Sequence, residues 1–199
     1  MKTCYVVGAA PFDDEIRLDP DDLLIAADGG WLALRDRGLT PHLAVGDFDS
    51  SEAPDGVPVV RHPVEKDDTD AALAVREGMR RGYTYFILYG CTGGRPDHTL
   101  AAVQTLHRMA REGLFGYLVF EKMVATVILD RTLRFFPHGT VSVLSLSDVS
   151  EGVTLTGLKY PLTNARLTSD VPLGVSNEAT GTEATVSVKH GTLLLLWEK

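Results

Sequence analysis

Leu43-Ala44-Val45-Gly46-Asp47-Phe48-Asp49-Ser50 joins an apolar run to a pair of acids across a glycine. Leu43 to Val45 is a short, wholly apolar run that stops at a glycine, the pattern of a buried strand ending in a sharp turn. In an extended segment, side chains two residues apart project to the same side. Asp47 and Asp49 would therefore present paired carboxylates while Phe48 turns away into packing. Like charges held this close repel unless a cation sits between them. Hard oxygen donors suit Mg²⁺, which keeps several waters and bridges to substrate phosphates. The competing reading is an Asp-rich turn whose side chains cap their own backbone.

Working outward, the same grammar repeats. Upstream, Leu23-Leu24-Ile25-Ala26-Ala27 reads as a strand covered on both faces, running into Asp28-Gly29-Gly30 and a short helix with Trp31 and Leu34 that stops at Gly38. Residues 3–7 form a further strand candidate, left through Gly8-Ala9-Ala10-Pro11. Downstream, Lys66-Asp67-Asp68-Thr69-Asp70 leads into a helix with Ala72, Val75 and Met79 on one face, closed by Gly82. Residues 85–89 are another buried strand, followed by Gly90-Cys91-Thr92-Gly93-Gly94-Arg95-Pro96-Asp97-His98 and a helix with Pro96 at its first position. Strands at 118–120 and 124–129 follow. Alternating strands and helices predict an α/β domain over residues 1–130, a mostly parallel, Rossmann-like sheet flanked by helices.

After residue 130 the pattern changes to short Thr/Ser-rich alternating runs at 141–143, 153–156 and 184–189, ending in the apolar run 193–197. His190-Gly191 reads as a hairpin turn between the last two. Residues 131–199 are therefore expected to be a small antiparallel β-sandwich, with Trp197 in its core.

Composition bounds what this chain can do. At 199 residues with 44% apolar content, it can bury a sizeable core. A formal net charge of -8 and a pI of about 5.2 exclude a broad nucleic-acid or anionic-membrane surface. Cys4 and Cys91 lie far apart in apolar surroundings, which predicts no disulfide framework. No signal segment and no apolar run of membrane-spanning length is present, so a cytoplasmic location is expected.

Asp28-Gly29-Gly30, Gly46 to Ser50 and Gly93-Gly94-Arg95 all start at the C-terminal end of an apolar strand, outside which ligands bind in open α/β sheets. Acids, glycines and an arginine gathered there suit a metal–polyphosphate site. Gly93 and Gly94 can offer bare amides at a helix N-terminus, and Arg95 a fork of donors. Asp67 and Asp70 have two readings: an acidic capping box, with Asp67 as N-cap, or a third metal carboxylate at Asp70 with Lys66 on phosphate. His98 reads as a surface histidine, without a Ser or Cys partner for nucleophilic hydrolysis. Trp31, Tyr160 and Trp197 are the aromatics able to stack on a flat ligand.

The ordered set of these motifs resembles that of the thiamine pyrophosphokinases. The resemblance extends through Gly157-Leu158-Lys159-Tyr160-Pro161-Leu162 and Ser176-Asn177-Glu178 to the closing strand, and so covers nearly the whole chain. It implies transfer of the diphosphate of ATP to the hydroxyl of thiamine with release of AMP, by a homodimer whose site lies between subunits. It places Asp28, Asp47, Asp49 and Asp70 at Mg²⁺-associated positions and Lys66, Arg95 and Asp97 near the phosphates. Gly29, Gly30, Gly93 and Gly94 complete the nucleotide set, and Ser176 and Asn177 fall on the thiamine side. Asp47, Asp49, Asp70, Arg95 and Asp97 are the implied catalytic group, with Asp70 or Asp97 accepting the alcohol proton. Trp31 and Ala102 depart from the family pattern, which has a small residue and frequently Asn there. The rival readings are a diphosphokinase for another alcohol, such as a hydroxymethylpterin, and an ATP-binding sensor without turnover.

Overall fold

The computed structural model describes residues 2–48, 52–63 and 67–199. It is a mixed α/β structure in two compact units, residues 1–109 with 113–121 and residues 110–112 with 122–199.

The first unit carries strands β1 (Cys4–Val7), β2 (Leu23–Ala27), β3 (Leu43–Gly46), β4 (Val59–Arg61), β5 (Tyr85–Tyr89) and β6 (Phe115–Val119). Helix α1 (Gly30–Arg35) follows β2, α2 (Asp70–Arg80) follows β4, and α3 (Pro96–Arg111) follows β5. The strands lie in the order β6-β5-β1-β2-β3-β4, and their pairings are parallel. β2 and β3 are buried at every position, as their unbroken apolar sequences require of strands covered on both faces. α2 packs across β1, β2 and β3. Its apolar side delivers Ala72, Leu73 and Val75 to the interior. The order also fixes where a crevice opens. From β1 the chain works outward to β4, then returns to the other side of β1 with β5. The sheet's switch point therefore lies between β1 and β5.

The second unit carries β7 (Met123–Leu129), β8 (Thr132–Phe135), β9 (His138–Ser145), β10 (Val149–Thr156), β11 (Leu162–Thr168), β12 (Gly174–Glu178), β13 (Ala184–Ser187) and β14 (Thr192–Glu198). They pair antiparallel, in the orders β12-β9-β14-β7 and β11-β10-β13-β8. Ile128, Val143, Leu193 and Leu195 from the first group meet Val153, Leu155, Leu167 and Val186 from the second in one buried core. Trp197 packs against that core, its ring centroid 4.9 Å from Phe135.

The expected hairpin at His190-Gly191 is not formed. β13 pairs with β8 and β10, whereas β14 lies between β7 and β9. The intervening backbone bonds elsewhere: Glu151 N–H donates to His190 C=O (2.7 Å), and Gly191 N–H donates to Asp130 Oδ1 (2.7 Å). Leu193 and Leu195 are both fully buried in the core of the second unit. Cys4 and Cys91 are both free and buried. Among the described residues, no helix is long and apolar enough to cross a membrane.

Candidate active site

The switch point between β1 and β5 is built from backbone that only glycine permits. Gly90, just past β5, has φ +61°, and a Cβ there would lie 2.4 Å from Gly8 O and 2.7 Å from Ala10 O. Gly8 N–H donates to Tyr89 C=O (2.8 Å) and Ala10 N–H to Gly90 C=O (2.9 Å), so the exits of the two strands are laced together. Beside them opens a cavity of about 340 Å³. Small and apolar residues line part of it, among them Ala9, Ala10, Ala27, Cys91 and Ala102. Asp28, Asp70, Gly94, Arg95 and His98 line it as well.

Asp28 leaves β2 in the left-handed region (φ +43°), and its N–H donates to Val45 C=O (2.8 Å). This brings the first two sequence motifs into contact: a Cβ on Gly46 would come within 3.0 Å of Asp28 Cα. Gly29 lines a second, adjoining hollow with Leu32, Arg37 and again Asp28. Gly30 is buried against Val7 C=O, where any side chain would collide, and is not among the residues lining either hollow.

Asp47 is half-buried just beyond β3, outside the residues lining the main cavity. The extended geometry expected for the motif ends here, because Phe48 turns back with φ +55°. Phe48 does pack into the core of the first unit. The Arg61 guanidinium lies 5.2 Å from its ring centroid. Asp49 and Lys66 lie outside the described residues.

Asp70 reaches the cavity as the first residue of α2, and the cap differs from the one expected. Thr69 is the N-cap, its Oγ1 accepting from Ala72 N–H at 3.3 Å; Asp67 is exposed upstream of it. The chain stays extended at Thr69 (ψ 157°), so the helix begins too late for Asp67 to cap it.

Gly93 (φ +91°) and Gly94 are exposed with open space around them, which leaves their amides approachable. Pro96 begins α3, as its missing N–H favours. Arg95 pairs with Asp97, Nη2 to Oδ2 at 2.6 Å and Nε to Oδ1 at 3.2 Å. That guanidinium holds the Asp97 carboxyl down at about 2, and the carboxylate in turn raises the affinity of Arg95 for its proton. Asp97 is exposed and not among the cavity-lining residues. Burial pushes the Cys91 thiol up to about 12, so this cavity wall is a neutral thiol, with Sγ donating to Tyr89 C=O at 3.3 Å.

In the second unit Ser176 is exposed in a left-handed bulge (φ +60°), its N–H donating to Ser142 Oγ at 3.1 Å. Asn177 is 4% exposed and fully engaged. Its Oδ1 accepts from Tyr160 N–H (2.9 Å) and Glu178 N–H (2.9 Å), and its Nδ2 donates to Tyr160 C=O (2.8 Å). The Tyr160 ring stands 56% exposed beside the Lys159–Glu178 ion pair.

Sequence reasoning missed the walls at Gly8, Ala9 and Ala10 and at Gly90, Cys91 and Thr92. A glycine directly after each of two apolar strands was the available signal. Among the described residues, no group of three or more His, Cys, Asp and Glu side chains is placed to hold a metal ion. Asp28 and Asp70 on one cavity nevertheless suit Mg²⁺, which binds through one or two carboxylates together with substrate phosphates rather than in an all-protein cage.

A family model described as "Thiamin pyrophosphokinase, catalytic domain" matches residues 17–115, and one described as "Thiamin pyrophosphokinase, vitamin B1 binding domain" matches residues 126–193. The chain is 28% identical to a thiamine pyrophosphokinase of Bacillus subtilis (strain 168) over 218 residues, covering 98% of both chains. A crystal structure of thiamine pyrophosphokinase from Bacillus subtilis superposes with a TM-score of 0.88 at 27% identity, covering 100% of this chain and 99% of that one. That of Geobacillus thermodenitrificans gives a TM-score of 0.85 at 28% identity, covering 100% and 98%. With its two units matched by the two domain models in the same order, this chain belongs to the thiamine pyrophosphokinase family.

Proposed function

We propose that this protein transfers the diphosphate group of ATP to the hydroxyl of thiamine, giving thiamine diphosphate and AMP. The observation that carries the reading is the cavity at the β1/β5 switch point, which is lined by the carboxylates Asp28 and Asp70, the Arg95 guanidinium and Gly94. Small apolar residues and charged groups on one cavity suit a nucleotide, and positioning with charge neutralisation supplies most of the catalysis of phosphoryl transfer.

Gly93 and Gly94 would offer amides to phosphate oxygens, and Arg95 would exchange its partner Asp97 for a phosphate as charge develops. Asp28 and Asp70 would hold Mg²⁺, with Asp47 and Asp49 as the motif's further carboxylates; the ion would neutralise charge on the transferring group. The alcohol oxygen attacks the β-phosphorus in line as AMP departs. In a loose transition state little charge builds on the nucleophile, so a weak proton acceptor suffices. Asp70 lines the cavity, whereas Asp97 is not among its lining residues; Asp70 is our assignment.

The first unit is then a Rossmann-like ATP domain and the second a β-sandwich that contributes to thiamine binding. There Ser176 and the Tyr160 ring are the accessible groups, and Asn177 acts by fixing the Tyr160 backbone. A homodimer with the site between subunits belongs to the same proposal, and a monomeric mass in solution refutes that part.

Product analysis with ATP, Mg²⁺ and thiamine tests the reaction. AMP and thiamine diphosphate in equal amounts is the expected result. AMP formed only with a hydroxymethylpterin, or ATP bound without AMP, overturns it.

A further inference from the structure

Within Asp67-Asp68-Thr69-Asp70, Thr69 caps α2 and Asp70 faces the cavity, which leaves Asp68 without an assigned role. Its side chain is only 16% exposed, and it accepts from arginines at two separate places in the first unit. Arg76 of α2 donates through Nη2 to Oδ2. Arg108 of α3 donates through Nη2 to Oδ1 (3.2 Å) and through Nη1 to Oδ2 (3.4 Å). A planar guanidinium fork meeting a planar carboxylate admits few geometries, so the pairing fixes direction as well as distance.

What it fixes is the cavity. Thr69, Asp70 and Ala71, the three residues directly after Asp68, all lie on one part of its wall, while α3 supplies His98 and Ala102 to the rest. Asp68 is thus the bracket between the helix that carries Asp70 and the helix that follows the glycine loop. Its charge is offset by two guanidinium groups, neither of which is on the cavity lining.

We propose that Asp68 is a positioning residue of the nucleotide site: clamped by Arg76 and Arg108, it sets Asp70 at the start of α2 against α3. The proposal rests on the reading of this cavity as the Mg–ATP site. Asp68→Asn keeps the size of the side chain but removes its charge and one acceptor, so the fork contact with Arg108 is lost.

The test is a double-mutant cycle of Asp68→Asn and Asp70→Asn, read as the Kd for Mg–ATP by calorimetry, alongside kcat and KM with thiamine and the melting temperature. A residue acting through Asp70 gives strongly non-additive effects. Asp68→Asn alone is expected to weaken Mg–ATP about tenfold, and to have less than a twofold effect once Asp70 is already Asn. Arg108→Gln, which opens the bracket from the α3 side, should reproduce the pattern if Asp68→Asn folds poorly. Equal fold-losses in both backgrounds, or a Kd within twofold of wild type, overturn the proposal, as does a wild-type protein that does not bind Mg–ATP. Wild-type protein that binds Mg–ATP but releases no AMP with thiamine instead refutes the reaction, while the binding cycle still decides the role of Asp68.

Discussion

Replacing Gly90 by alanine isolates the feature that makes the cavity possible. Two separate costs are readable at this position. The backbone sits at φ +61°, where an L side chain costs about 1–2 kcal/mol. The new Cβ would also lie 2.4 Å from Gly8 O and 2.7 Å from Ala10 O, both backbone atoms that cannot rotate away. Overpacking of this kind adds about 1–3 kcal/mol, for a total of about 2–5 kcal/mol. Two neighbours separate the contributions. Gly93 has φ +91° but nothing near its would-be Cβ, so its alanine variant meets only the backbone penalty. Gly94 has ordinary φ and open space, so alanine there should be neutral or stabilising by up to about 1 kcal/mol through the unfolded state. Urea unfolding of the three variants should rank them Gly90→Ala, Gly93→Ala, Gly94→Ala, from most to least damaging, and Gly90→Ala should also bind Mg–ATP poorly. A Gly90→Ala protein within about 1 kcal/mol of wild type would refute the close-approach argument, given the penalties above.

Asp97 has its folded-state pKa lowered to about 2 by Arg95, so the pairing contributes stability above its unfolded value, about 3.9, and loses it as pH falls toward 2. A carboxyl titration followed by NMR should show that midpoint, and should return to the ordinary range in Arg95→Gln; a wild-type midpoint above 3.5 contradicts the pairing. Asn177→Ala removes three hydrogen bonds from a buried site and should cost about 2–3 kcal/mol while raising KM for thiamine more than KM for ATP. Equal changes in both KM values count against the role given to Tyr160. Burial pushes the thiols of Cys4 and Cys91 upward, so native protein at pH 8 should resist iodoacetamide and label fully only after unfolding.

Much of the first unit could be read from the chain because its strands are buried on both faces and therefore apolar without interruption. Leu23 to Ala27 and Leu43 to Val45 have no polar residue to confuse the period, and glycines punctuate their ends. The second unit was harder. β8 and β11 alternate between half-exposed and exposed positions over most of their length, so their sequences carry little hydrophobic signal; β12 is also broken by a bulge at Ser176. Pairing partners were beyond local reading altogether. Nothing in His190-Gly191 itself says that β13 and β14 part company. β14 pairs with β7 and β9 instead, and Asp130 and Glu151 take up the connecting backbone.

The candidate site divides along the same line. Side chains whose chemistry is unusual, such as Asp28, Asp70 and Arg95, announced themselves by type and position, and the structure places them on one cavity. Residues that build the site through their backbone did not. Gly8 and Gly90 contribute the absence of a side chain, which leaves room for two strand ends to approach, and their trace in the sequence is no more than a glycine directly after each apolar strand. Asn177 is the converse case. Its amide suggests a ligand contact, yet every hydrogen bond it makes goes to the backbone of Tyr160 and Glu178, and only 4% of it reaches solvent. A polar residue in a functional motif can serve the ligand directly or hold the segment that does. Burial with full internal bonding distinguishes the second case.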